Sequence, residues 1–182
     1  MAENYVTMDQ LDVVFADYAQ KVLKLNDEQV LIEYQEKGIK SSLINEDVVY
    51  IKTHSIQDEV IANKFRKSKY NQLTGNQNIE QTTMTSIMVV FTAYGPNSVY
   101  LLTKLNNELY LDSSKQFFYK NNMALVPDRT EFVTDVHEKI NERYWQRSDL
   151  KVYFYTSYTF GTEVGVITNA DIKIEPGIII SR

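Results

Sequence analysis

The chain has 182 residues, 43% of them hydrophobic, no cysteine and a formal net charge of -5. That length suits one domain able to bury a sizeable core, and the missing thiols exclude disulfides, thiolate metal sites and cysteine nucleophiles while fitting a reducing cytoplasm. The acidic balance argues against general affinity for nucleic acid or anionic membrane. Met1–Tyr5 carries no basic, then apolar, leader pattern, and no run approaches the roughly 18 apolar residues a bilayer demands, so no membrane partner is expected.

In chain order, Thr7 and Gln10 have capping-box spacing, which predicts a helix start. Leu11, Val14, Phe15, Tyr18, Val22 and Leu25 then recur at helical steps and give one apolar stripe, which Asn26-Asp27 ends. Val30–Tyr34 and Asp47–Thr53 are short, β-branched and aromatic, and read as the first two strands. From Gln57 to Asn78 the pattern turns polar, with Lys64, Arg66, Lys67 and Lys69 clustered before Asn71, Gly75 and Asn76. This predicts a long loop over about 57–78, with room for a short helix around Val60, Ile61, Phe65 and Tyr70.

Ile79–Tyr94 is the longest strand candidate and is apolar on both faces near its end, which predicts a central position. Gly95-Pro96-Asn97 stops it, because proline lacks an amide proton. Asn97 or Ser98 is the expected cap of the next helix, whose stripe is Val99, Leu102 and Leu105. Asp112 or Ser113 is a candidate cap for a further helical turn or two carrying Phe117 and Phe118. Pro127–Trp145 fits two patterns. Val133, Val136, Ile140 and Tyr144 suit a helix with early acids and late bases, whereas Phe132, Val133 and Thr134 also suit a strand. Leu150, Val152 and Phe154 alternate with Lys151, Tyr153 and Tyr155 as a clear strand, and Ile172–Ile174 with Ile178–Ile180 are expected edge strands. This order of elements predicts a single α+β domain with a mixed, largely antiparallel β-sheet flanked by helices.

Residue chemistry alone supplies no catalytic constellation. His54 and His137 are isolated and lack ligand spacing, so neither a metal nor a cofactor is expected. The corner at 95–97 has no glycine-rich run for a nucleotide phosphate. Glu131, Asp135, Glu138 and Glu142 would share a face on a helix, but a solvated charged face explains them better than paired acid–base roles. The cluster Lys64, Arg66, Lys67 and Lys69, interleaved with Phe65 and Tyr70, has the charge-and-ring pattern of nucleic-acid binders, but on so acidic a chain a mobile solvated loop explains it better.

The strand ending in Tyr94-Gly95-Pro96-Asn97-Ser98, the apolar helix after it and the later Glu142–Phe154, with its Arg143, Trp145 and Arg147, together resemble bacteriophage tail or neck terminator proteins. The similarity spans roughly Leu11 to Ile174 in the order of elements. The resemblance implies a structural virion protein without catalysis, assembled in the host cytoplasm. It implies a homohexameric ring on the end of the tail tube, in contact with the tube protein and with head-connector or neck proteins. Tyr94, Arg143, Trp145 and Arg147 are the expected interface residues, since aromatics and arginines suit such contacts. Lys64, Arg66, Lys67 and Lys69 are candidates for contacts with the tube, or weak sequence-independent ones with passing DNA. Another neck adaptor of the same virion, or a nucleic-acid-binding module, is the alternative.

Overall fold

A computed structural model describes residues 7–33, 46–56, 64–71, 75–140 and 142–165. Helix α1 (Met8–Leu23) begins at the expected capping box: the Thr7 hydroxyl accepts from the Gln10 amide, and the Gln10 side chain accepts from the Thr7 amide. Lys24 closes it in the left-handed conformation. Strands β1 (Val30–Ile32) and β2 (Val48–Ile56) follow, paired in parallel. Strand β3 (Lys64–Asn71) pairs antiparallel with the long β4 (Asn76–Tyr94). Helices α2 (Ser98–Leu109) and α3 (Asp112–Lys120) lead through β5 (Met123–Leu125) and a 3-10 turn to β6 (Thr134–Ile140) and the 23-residue β7 (Arg143–Gly165).

The sheet runs β1-β2-β4-β7-β5, with β3 added beside β4 and β6 beside β7; every pairing except β1 with β2 is antiparallel. This is the mixed α+β architecture that the pattern of elements predicts. Strand β4 is central because it pairs with β2 on one edge and β7 on the other. Ile87, Val89, Phe91 and Ala93 are buried against the helices, and so are Leu150, Val152 and Phe154 beside them on β7. Phe15 of α1 sits in the middle of this layer, with ring centroids 5.0 Å from Phe154, 5.7 Å from Phe118 and 6.3 Å from Phe91. The amphipathic stripe of α1 thus finds the apolar face of the strands.

The corner after β4 depends on glycine. Gly95 has φ +111°, and a Cβ there would lie 2.6 Å from both Asp47 Oδ1 and the Glu46 carbonyl oxygen. Asp47 accepts from the Asn97 backbone amide at 2.9 Å and from its side-chain amide at 2.7 Å. Asn97 occupies the cap position of α2, but its side chain makes no capping bond, being turned to Asp47 instead. Leu111, ahead of Asp112 and Ser113, is the residue at the cap position of α3.

One open choice is decided and one expectation fails. Of the two patterns that fit Pro127–Trp145, the strand holds after the 3-10 turn: Thr134–Ile140 pairs with Arg143–Asp149 as a β-hairpin, because a free edge of β7 offers ladder bonds that its β-branched residues suit. Within the long loop expected over 57–78, Lys64–Asn71 is a strand and Asn76–Asn78 already belongs to β4, since cross-strand pairing satisfies a polar backbone as well as an apolar one. Residues 57–63 and 72–74 lie outside the described residues, as do the edge strands expected at Ile172–Ile174 and Ile178–Ile180.

Beyond Ser86 on β4 and Thr156 on β7 no described residue is buried. The outer parts of β4 and β7, with β3, therefore form a three-stranded arm that carries none of the core.

Candidate interaction surface

The helices cover one face of the sheet and leave the other open. Strand register decides which residues share it: Tyr94 lies between Val48 of β2 and Arg147 of β7, and Trp145 lies opposite Glu138 of β6. Alternation puts Arg143, Trp145 and Arg147 on one face of β7, the face that also holds Tyr94, Tyr50 and Glu138.

The Tyr94 ring stands edge-on to Trp145, 6.2 Å between centroids, and edge-on to Tyr50 at 5.7 Å. Its hydroxyl donates to Glu138 Oε2 at 2.8 Å, and Arg147 Nη1 donates to the same oxygen at 3.0 Å. Arg147 Nε and Nη2 donate to the two oxygens of Asp149, each at 3.0 Å, in a forked pair. The guanidinium carbon lies 5.9 Å from the Tyr94 ring centroid. Burial, then the bond to Glu138, pushes the Tyr94 hydroxyl up to about 12. The bonds from Tyr94 and Arg147 hold the Glu138 carboxyl below its ordinary value, and those to Asp149 and Glu138 hold the Arg147 guanidinium above its own. The cluster thus ties one guanidinium, two carboxyl groups and three rings into a single network.

Three of the four interface residues named from the sequence, Tyr94, Trp145 and Arg147, come together. Arg143 shares their face but lies nearer the hairpin turn, exposed and opposite Ile140. Sequence reading missed Tyr50, Glu138 and Asp149. Glu138 was hidden by the helical alternative, in which it would group with Glu131, Asp135 and Glu142; as a strand residue it faces away from Asp135 and meets Arg147.

The basic cluster is elsewhere, on the arm. There the strand alternates its charges: Lys67 and Lys69 lie on the open face opposite Glu80 and Asn78, while Arg66 lies on the other face with Tyr70. Lys64 opens the strand opposite Thr83. A one-sided phosphate-binding stripe is thus broken by the β period and by Glu80. His54 on β2 and His137 on β6 are separated by β4 and β7, and no group of three metal-ligating side chains occurs among the described residues. No helix among the described residues is long and apolar enough to cross a membrane.

Residues 9–178 match the family described as phage neck terminator protein. The chain belongs to that family. It is accordingly a structural protein of the phage neck and tail, from a family that is not one of enzymes. No curated protein matches the sequence significantly.

Proposed function

We propose that this neck terminator protein closes as a homohexameric ring on the last ring of the tail tube, stops tube polymerisation and presents the joint to the head connector. The family match over residues 9–178 carries the proposal. Two features of the fold support it. A closed ring needs two unlike, mutually complementary patches on each subunit. The sheet has two unlike surfaces at opposite ends, the Tyr94–Trp145–Arg147 patch and the exposed arm.

In this reading Tyr94, Arg143, Trp145 and Arg147 contact a neighbouring subunit or the tube. Trp145 and Tyr94 supply rigid aromatic area, Arg147 is held in place by Glu138 and Asp149, and Arg143 keeps an exposed guanidinium for a partner carboxylate. The nucleic-acid-binding alternative loses support, because the cations of β3 divide between two faces.

The test is electron microscopy of the protein mixed with polymerising tail-tube subunits, scoring tube length and end density. Arrested tubes bearing a sixfold end ring are the expected result. Tubes that grow on unchanged would overturn the capping role and direct attention to a contact on the connector side.

A further inference from the structure

Among the described residues the arm has two strand edges with no strand beside them, and they differ. On one side, the outer edge of β3 reads Lys64-Phe-Arg-Lys-Ser-Lys-Tyr-Asn71. On the other, no described strand lies along β7 from Ser157 to Gly165, because β5 pairs only as far as Thr156. The sequence over 157–165 has no basic residue. Lysine-rich edges guard a strand against pairing with its own kind, since like charges would be brought together. A second β3 is therefore repelled, whereas the base-free β7 edge is a compatible partner.

The backbone phase agrees. The carbonyls of Lys151 and Tyr153 accept from Glu131 and Val126 on the outer side of β7, so odd-numbered residues of this strand point their amides and carbonyls outward. On β4 the Gly95 amide donates to Gln146 of β7, so odd-numbered β4 residues face β7 and even-numbered ones face β3. Since Thr82 is opposite Phe65, the outward groups of β3 belong to the even-numbered Arg66, Ser68 and Tyr70. In a parallel ladder an outward-pointing residue faces one whose own groups point away. Even-numbered β3 residues then face even-numbered β7 residues, and both sets have their side chains on the same face of the sheet. The two edges thus fit in parallel without inverting the sheet. Strands β3 and β7 are both antiparallel to β4, so a rotation that sets arms side by side places one copy's β3 parallel to its neighbour's β7.

We infer that the open β3 edge of one copy pairs in parallel with the outer edge of Ser157–Gly165 on the next copy, joining the arms into one continuous sheet. The inference rests on the ring reading above and deepens it. Three strands from each of six copies, at about 4.8 Å spacing and about 40° tilt, close a barrel of about 36 Å backbone diameter, in the size range that leaves an aqueous channel. The helices lie outside such a barrel, so the open face of the arm alone lines it, with Lys67, Lys69, Glu80 and Thr159 toward the lumen. The half-exposed Ile79, Phe160 and Val164 are on its outer side.

The native chain has no cysteine, so introduced pairs report unambiguously. S68C is combined in turn with Y158C, F160C and T162C, three successive in-phase registers, in full-length protein whose unfolding transition matches the native one. Rings on tail tubes are oxidised and run on denaturing gels, and amide exchange at Thr159 and Gly161 is compared between free protein and rings. A ladder reaching six copies for one pair, absent from the single variants, with exchange slowed about tenfold or more on ring formation, is expected. Rings with neither cross-link nor added protection would overturn the pairing while leaving the ring intact. Protection already present in the free protein would assign the β7 edge to the chain's own residues 166–182 and overturn it too. Failure of the native protein to form rings would remove the ring reading and this inference with it.

Discussion

Replacing Arg147 by methionine tests whether the patch on the open face is a built network. The variant keeps most of the apolar stem and removes three hydrogen bonds, one to Glu138 and two to Asp149, each 3.0 Å long. The side chains are 29% exposed for Arg147, 37% for Glu138 and 23% for Asp149, so the setting lies between a surface pair and a buried one. Exposed pairs contribute about 0–1 kcal/mol and hydrogen bonds to charged groups about 1.5–3 kcal/mol; about 1–2 kcal/mol is expected for this partly screened cluster. At this chain length that corresponds to a fall in Tm of about 2–8 °C. Urea unfolding followed by the fluorescence of the single tryptophan, Trp145, reads the loss where the network sits. The pH dependence adds a sign. Glu138 has a depressed pKa, caused first by the Tyr94 hydroxyl and then by Arg147. Its contribution is therefore present above the ordinary carboxylate range and is lost as pH falls through the depressed value. The deficit of R147M should be largest near neutrality and shrink in acid. A loss below about 0.3 kcal/mol at neutral pH, or one independent of pH, would show that the network is an ordinary screened surface pair and refute the argument.

Gly95→Ala combines a φ of +111° with a Cβ placed 2.6 Å from Asp47 and Glu46, and should destabilise by about 2 kcal/mol or more, read as a lower urea midpoint at unchanged slope. Phe15→Ala removes the ring at the centre of the helix–sheet layer and should lose about 3–5 kcal/mol by the same titration. Arg143→Ala paired with Trp145→Ala should leave a folded protein by circular dichroism that no longer arrests tubes; normal capping by the double variant would remove these residues from the contact. Lys67→Glu with Lys69→Glu should alter DNA ejection while capped tubes still form, and unchanged ejection kinetics would remove the lysines from the DNA path.

The sequence was most informative where local physics and packing agree. The Thr7–Gln10 box, the α1 stripe and the two-faced apolar run ending at Tyr94 each carry their own period, and each became the expected element. It left the choice open, or misled, where pairing overrides composition. Thr134–Ile140 carries Val136 and Ile140 at helical spacing, yet the hairpin with β7 claims it, a contact that no local pattern encodes. Lys64–Asn71 looked like a loop because an arm without a core needs no apolar alternation; its strand is specified by eight register partners on β4. The patch was legible as residue types and illegible as a network, since Glu138 and Arg147 meet only once the hairpin forms.

Both long strands belong to two structures at once. Strands β4 and β7 begin or end in the buried layer around Phe15 and continue into the arm, where no described residue is buried, so the arm borrows its order from the core. A three-stranded polar sheet without a packed face would be marginal alone. Here its register is already fixed at Phe91 and Leu150, where a slip by one residue would turn apolar side chains out of the core. Hence arm pairing should fail whenever the core is loosened. Phe15→Ala is expected to speed amide exchange at Thr159 and Gly161 as well as to lower the unfolding midpoint. An arm whose exchange does not respond to the loss of Phe15 would show that its order is local, and the two halves of these strands would then be energetically separate.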